Sequence, residues 1–125
     1  MTAIPKPEPR KRVKGRRRRA ERKVIDRVRP AVVARDGYCR VANVRAMGAC
    51  RGASEWAHLG EKRRFRTRGL PPDERHTTAD SVMFCDGHHD AYDDHAFEIE
   101  KLTTGGADGR LRYVARDGTV LHEEP

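Results

Sequence analysis

The sequence predicts a single small α+β domain. Three observations carry this: apolar residues recur at helical spacing near the amino end, five short strand-like segments follow, and cysteines and histidines gather in clusters among them. With 125 residues there is room for one domain and a limited core. Hydrophobic residues make up 36% of the chain and aromatics 6%, against 37% charged. A core that thin calls for a supplement, and one end of the chain is expected to be poorly ordered.

Residues 1–19 hold Pro5, Pro7 and Pro9 and then a near-continuous run of Arg and Lys. This composition predicts a disordered basic arm, with the domain spanning residues 20–125. Val24, Ile25, Val28, Val32 and Val33 predict a helix over 20–35, kinked or divided at Pro30 and stopped by Arg35-Asp36-Gly37. Residues 39–50 read as an irregular loop with a turn at Gly48, and residues 54–59 as a strand containing Trp56 and His58. Residues 60–78 form a long polar loop, and a loop of that length in a small domain usually serves function. A second strand is expected at 81–84 and a helix from 86 to about 94. Residues 97–102 and 111–115 alternate as strands, and Arg116-Asp117-Gly118 turns the chain into 119–122. The segment 97–122 is thus a C-terminal hairpin or meander.

The net charge is +8, yet residues 6–23 alone carry eleven Lys or Arg against Glu8 and Glu21. Basicity belongs to the arm, Arg16, Arg17, Arg18 and Arg19 included, and to a second group in the long loop, Lys62, Arg63, Arg64, Arg66 and Arg68. Such segments lie along phosphates and release counterions, although a solubilising tail has the same composition. No apolar run approaches the ~20 residues of a membrane span. No signal-peptide pattern is present, so a cytosolic location is expected. Three cysteines are an odd number, which disfavours a closed disulfide framework and leaves metal ligation open.

The most informative stretch is Phe84-Cys85-Asp86-Gly87-His88-His89-Asp90-Ala91-Tyr92-Asp93. Cys85 and His88 are spaced to present two ligands to one tetrahedral zinc. Cys39 and Cys50 complete a Cys₃His structural site, though three ordinary buried cysteines would leave the same residues in the sequence. On a helix, His89 and Asp93 project from one face and can grip a divalent cation, or simply share a hydrogen bond. His58 closes its strand just before the basic loop. There it can activate a water for attack on phosphorus, while a cation at His89 and Asp93 stabilises the leaving oxygen. A lone histidine in that position is as readily a core or surface residue. His76, His95 and His122 read as surface or loop residues, and Trp56 as core.

The order Cys39, Cys50, Ala57-His58-Leu59, a variable loop, Asp80 and Cys85-x-x-His88-His89-x-x-x-Asp93 resembles the HNH endonucleases of the ββα-metal fold. It is most similar to phage-type members with an Ala-His-Leu strand and a Cys-x-x-His-His helix start, over about residues 24–98. The resemblance implies a zinc-stabilised core at 39–95, His58 as general base, His89 as ligand of the catalytic metal, and Cys85 with His88 in the zinc site. It also places Asp80 where the family's middle asparagine braces the loop and the base, and Asp93 where many members have a second helical histidine. Three positions depart from the family pattern, Asp80, Asp93 and Ala57, and Asp93 is chemically adequate as a ligand. An ionised Asp80 accepts hydrogen bonds but cannot donate one. Ala57 stands where many relatives carry a metal-binding Asp or His, leaving the ion to His89, Asp93 and water, or to a recruited Glu55, Asp94 or His95.

The implied activity is hydrolysis of DNA phosphodiester bonds with low sequence specificity. It would use a structural Zn²⁺ and one catalytic divalent ion (Mg²⁺, Mn²⁺, Ni²⁺ or Zn²⁺), and the basic segments would hold the backbone. Phage recombination or packaging proteins are the partners this family suggests, in a bacterial or phage-infected cytosol. The alternative is a non-catalytic zinc-stabilised module that binds nucleic acid, for which His58, His89 and Asp93 would have no use. A protein-interaction domain would leave the basic arm without a role.

Overall fold

The computed structural model describes residues 10–63 and 69–125. A long helix, α1 (Arg10–Asp36), leads through a loop with one 3₁₀ turn into strand β1 (Ser54–His58). A short helix α2 (Pro72–Arg75) precedes β2 (Ser81–Cys85), which runs directly into α3 (Asp86–Asp93). Three further strands follow: β3 (Phe97–Lys101), β4 (Leu111–Ala115) and β5 (Val120–Glu123). β1 and β2 pair antiparallel, and β3, β4 and β5 form a second antiparallel sheet. The fold is therefore α+β, and the carboxyl-terminal strands form a meander. Among the described residues no helix is long and apolar enough to cross a membrane.

α1 begins at Arg10, well before the start that the apolar spacing marks. Residues 10–19, expected in the disordered arm, are helical, and residues 1–9 lie outside the described residues. The physical reason is that Arg and Lys are good helix formers, and the next proline after Pro9 is Pro30. Apolar spacing detects only the buried part of a helix. Pro30 neither ends nor divides α1. It sits on the exposed side, and Val28 and Val32 hold the helix down on either side of it. The loop at 60–78 also contains more order than expected, with a 3₁₀ turn at Gly60–Arg63 and α2.

Strand alternation divides the two halves of the core. Val24, Val28 and Val32 form one stripe of α1 that packs on Met83, with Trp56 beside them. The opposite face of the small sheet presents Ala57, Val82 and Phe84 to a larger cluster containing Tyr92, Phe97, Leu111 and Tyr113. Phe84, Tyr92 and Phe97 meet with ring centroids 5.6–6.0 Å apart, and Phe97 reaches Tyr113 at 6.2 Å. These four rings join α3, β2 and the meander in one network, which compensates for the low aromatic content.

Two further devices lock the meander onto the rest. Gly106 has φ +60°, and a Cβ there would lie 2.5 Å from the Ala79 carbonyl oxygen. Only glycine lets the chain come close enough for the Ala107 N–H to donate to that oxygen at 2.8 Å. Arg40 donates to both carboxylate oxygens of Glu124 at 2.8 Å, to the Gly109 carbonyl at 2.9 Å and to Asp36 at 3.3 Å. This largely buried guanidinium ties the end of α1 to the loop between β3 and β4 and to the residue that follows β5. Replacing Arg40 by Leu would strip Glu124 of its ion-pair partner, while Asp36 keeps Arg35, so a loss of about 3–5 kcal/mol is expected in urea denaturation. The double variant Arg40→Leu, Glu124→Leu should recover part of it.

Candidate functional site

The four residues Cys39, Cys50, Cys85 and His88 converge from three parts of the chain. Cys39 follows the end of α1, Cys50 closes the 39–50 loop, and Cys85 caps α3, its sulfur accepting the His88 N–H at 3.4 Å. Gly52, at φ +79°, makes the approach of the Cys50 segment to α3 feasible. A Cβ there would lie 2.6 Å from Asp86 Cβ. The neighbouring backbone then pairs: Asp86 N–H donates to Ala53 at 2.8 Å and Gly87 N–H to Arg51 at 3.0 Å.

His88 Nδ1 lies 3.0 Å from Cys85 Sγ, 3.4 Å from Cys39 Sγ and 3.8 Å from Cys50 Sγ. All four ligand atoms lie within 4.8 Å of one another. Zinc bonded to S at ~2.3 Å and N at ~2.0 Å in a tetrahedron sets S···N edges of about 3.6 Å, so the group fits such an ion. His88 Nε2 sits 2.9 Å from the Met47 carbonyl, which can only accept. That contact assigns the proton to Nε2 and leaves the Nδ1 lone pair facing the three sulfurs. Burial pushes the Cys39 and Cys50 thiols up, Cys50 to about 12. Burial would raise Cys85 as well, but backbone N–H groups of Arg51 and His88 bring it down to about 7. Three crowded thiols, only one of which ionises easily, gain from a cation at their centre.

His58 ends β1 and is joined to residues not expected at the site. Its Nε2 lies 2.8 Å from His76 Nδ1, and His76 Nε2 lies 2.8 Å from Glu21 Oε1 on α1. The Trp56 ring packs over both histidines, with centroids 4.6 and 5.3 Å away. His76, read from the sequence as a surface or loop residue, is only 5% exposed. Burial first, and then the charges of His76, Arg75, Lys62 and His89, hold His58 down to about 4. At pH 7 His58 is therefore neutral, with a ring lone pair that can accept a proton, but it is a weak base.

His89 and Asp93 do share a face of α3, with Nε2 3.4 Å from Asp93 Oδ2. Glu55 is the recruited group that reaches His89, its Oε1 lying 3.0 Å from Nδ1. The two carboxylates thus address opposite nitrogens and do not converge on one point. Alternation along β1 turns Glu55 and Ala57 toward α3, whereas Trp56 and His58 turn toward α1. His58 and His89 therefore flank one strand from its two sides. They sense one another through charge.

Asp80 does not touch His58 with its side chain. Its carboxylate accepts from Thr77 at 3.1 Å and pairs with Lys62 at 3.4 Å and with Lys101. Burial opposes ionisation, but Lys101 and Thr77 hold the carboxyl below the usual range. Its backbone carbonyl accepts the Leu59 N–H at 2.8 Å, directly after His58. Lys62, expected to contact phosphate, is committed to Asp80 and the Glu74 carbonyl. Arg64, Arg66 and Arg68 lie outside the described residues, as does the side chain of Arg63. Arg16, Arg17, Arg18 and Arg19 are exposed along α1. His95 pairs with Glu98 at 2.6 Å, and the Asp94 carbonyl accepts from Arg116 at 2.9 Å. Tyr92 is core, its hydroxyl receiving the Gly60 N–H at 3.0 Å.

Sequence reading missed His76 and Glu21 because they are 55 residues apart and neither sits in a recognisable spacing. The one available signal was an acidic residue inside an otherwise basic run. None of the family models, curated proteins or solved structures compared with the chain matches it.

Two measurements follow from this geometry. The purified chain should hold one equivalent of metal by mass spectrometry, and Cys39→Ser or Cys85→Ser should lose it together with thermal stability. A histidine-resolved NMR titration should place His58 near 4. Because the folded value lies below the unfolded ~6.5, protonation favours unfolding. The associated stability is complete above about pH 6.5 and is lost as pH falls toward 4, by at most about 1.4 kcal/mol per pH unit. In His58→Phe that part of the pH dependence should vanish.

Proposed function

We propose that the chain is a metal-dependent DNA endonuclease of the HNH type, with zinc in the Cys₃His group as a structural ion. The observation that carries this reading is the pairing of a neutral His58 on one side of β1 with His89, Glu55 and Asp93 on the other. Among the described residues β1 pairs only with β2, so its outer edge is unpaired by another strand. A phosphate laid along that edge reaches both sides.

A divalent ion at His89 and Asp93 would neutralise the phosphate and the charge on the leaving 3′ oxygen. Since Glu55 and Asp93 sit at different ring nitrogens, a single protein carboxylate shares the ion with His89, and substrate oxygens complete the shell. That ligand set suits Mg²⁺ or Mn²⁺. The chain supplies the rest. His58 takes the proton from the attacking water. Glu55 accepts the His89 N–H and fixes the ring. Asp80 braces the strand exit by accepting hydrogen bonds, which is all an ionised carboxylate can do. The exposed arginines of α1 hold phosphates without reading bases, so cutting has low sequence specificity.

Supercoiled plasmid tests the reading. Wild type should nick it with Mg²⁺ or Mn²⁺ and stop in EDTA, and His58→Ala should lose about 10²–10⁴-fold at equal zinc content. Retardation of DNA in a gel without cutting, under every metal, would favour the non-catalytic zinc module.

A further inference from the structure

We propose that Glu21 and His76 are positioning residues that fix the tautomer of His58 and leave its Nδ1 as the proton-accepting atom. This rests on the nuclease reading for its catalytic meaning, but the tautomer itself follows from hydrogen-bond bookkeeping.

An ionised carboxylate can only accept, so the 2.8 Å contact between Glu21 Oε1 and His76 Nε2 requires a proton on that nitrogen. With His76 neutral, its Nδ1 then carries a lone pair. The next contact, also 2.8 Å, must be a donation from His58 Nε2–H to His76 Nδ1. His58 Nδ1 is left with its lone pair. The chain reads Glu21 carboxylate, His76, His58, each link donating toward the acid. When Nδ1 takes a proton from water, His58 becomes an imidazolium whose Nε2–H still points at His76, and the Glu21 charge lies beyond that ring.

The surroundings enforce this order. His76 is 5% exposed, and Trp56 packs on both imidazoles, so neither ring turns freely. Arg75 Nη1 stands 3.6 Å from Glu21 and keeps the carboxylate charged. Glu21 lies one turn before Val24 on α1, so the docking of the valine stripe on Met83 delivers the carboxylate. Without α1 in place, His76 has no acceptor and His58 has no assigned proton.

The test is the two-bond ¹H–¹⁵N spectrum of the zinc-loaded full chain at neutral pH. In wild type, His58 should show a protonated Nε2 and an unprotonated Nδ1. In Glu21→Ala and His76→Phe, the His58 nitrogens should move to the averaged shifts of exchanging tautomers. Glu21→Gln, whose amide oxygen still accepts, should keep the wild-type pattern and rescue it relative to Glu21→Ala. Circular dichroism and zinc content identify any variant that fails to fold. Plasmid nicking should fall at least about tenfold in Glu21→Ala and His76→Phe, and less in Glu21→Gln, bounded by the 10²–10⁴ a base contributes. A protonated Nδ1 in wild type, or a His58 pattern unmoved in both disruptive variants, overturns the proposal. The expected tautomer in a wild type that cuts no DNA would instead overturn the nuclease reading and leave the assignment of the proton intact.

Discussion

Cys39, Cys50, Cys85 and His88 bring three parts of the chain to one point. The 3₁₀ turn in the loop between α1 and β1 buries none of its residues. Val41 is the deepest apolar anchor between the first two cysteines. The loop is pinned by the convergence of its sulfurs on His88, the His88 contact with the Met47 carbonyl, and backbone bonds from α3 to Arg51 and Ala53 and from Arg40 to Met83. Since β1 begins at Ser54, just after that junction, the position of Glu55, Trp56 and His58 depends on it. A cation that replaces thiol crowding with four bonds would stiffen the start of β1 and the start of α3 together. Those are the two elements that carry His58 and His89.

The sequence makes the strands and the short α3 legible because each pairs a clear apolar pattern with a turn signal, and their observed bounds fall within a residue or two of the reading. The Cys/His group is legible because its ligands are chemically rare in this chain. Less visible were features set by tertiary context. α1 reaches back to Arg10 through residues with helix propensity but no apolar stripe. Pro30 is absorbed because packing on both sides outweighs one missing hydrogen bond. Glu55 lies beside His89 only because β1 has period two, an alternation the sequence contains but does not orient. His76 sits in a loop whose fold depends on Asp80, Lys62 and Tyr92 rather than on local pattern.

Asp80 stands where the resemblance to HNH endonucleases leads one to expect asparagine. An asparagine in its place could donate and accept. Here the surroundings supply donors alone: the Thr77 hydroxyl and the Lys62 and Lys101 ammonium groups. A carboxylate is the better partner for such a set, because charge-assisted bonds are stronger than neutral ones. Lys62 also withholds part of the loop's positive charge from a polyanion. That charge is spent inside the protein, and on the proposed reading the exposed arginines of α1 would meet phosphate.

α1 therefore joins three properties that would otherwise be separate. Its valine stripe seats it on the small sheet, its amino-terminal turns carry the exposed Arg16 to Arg19, and Glu21 turns inward to His76. Successive helix residues are 100° apart, so these roles cannot be shifted independently. Rotating the helix by one residue would withdraw Glu21 and the valines at once. On the proposed reading, the surface that would meet the DNA backbone and the carboxylate that orders the histidine pair are parts of one rigid element. A phosphate backbone drawn onto α1 would load the same helix that holds His76, and through it His58. Binding and proton transfer would then share a mechanical connection about one helical turn long, from Arg17 or Arg18 to Glu21.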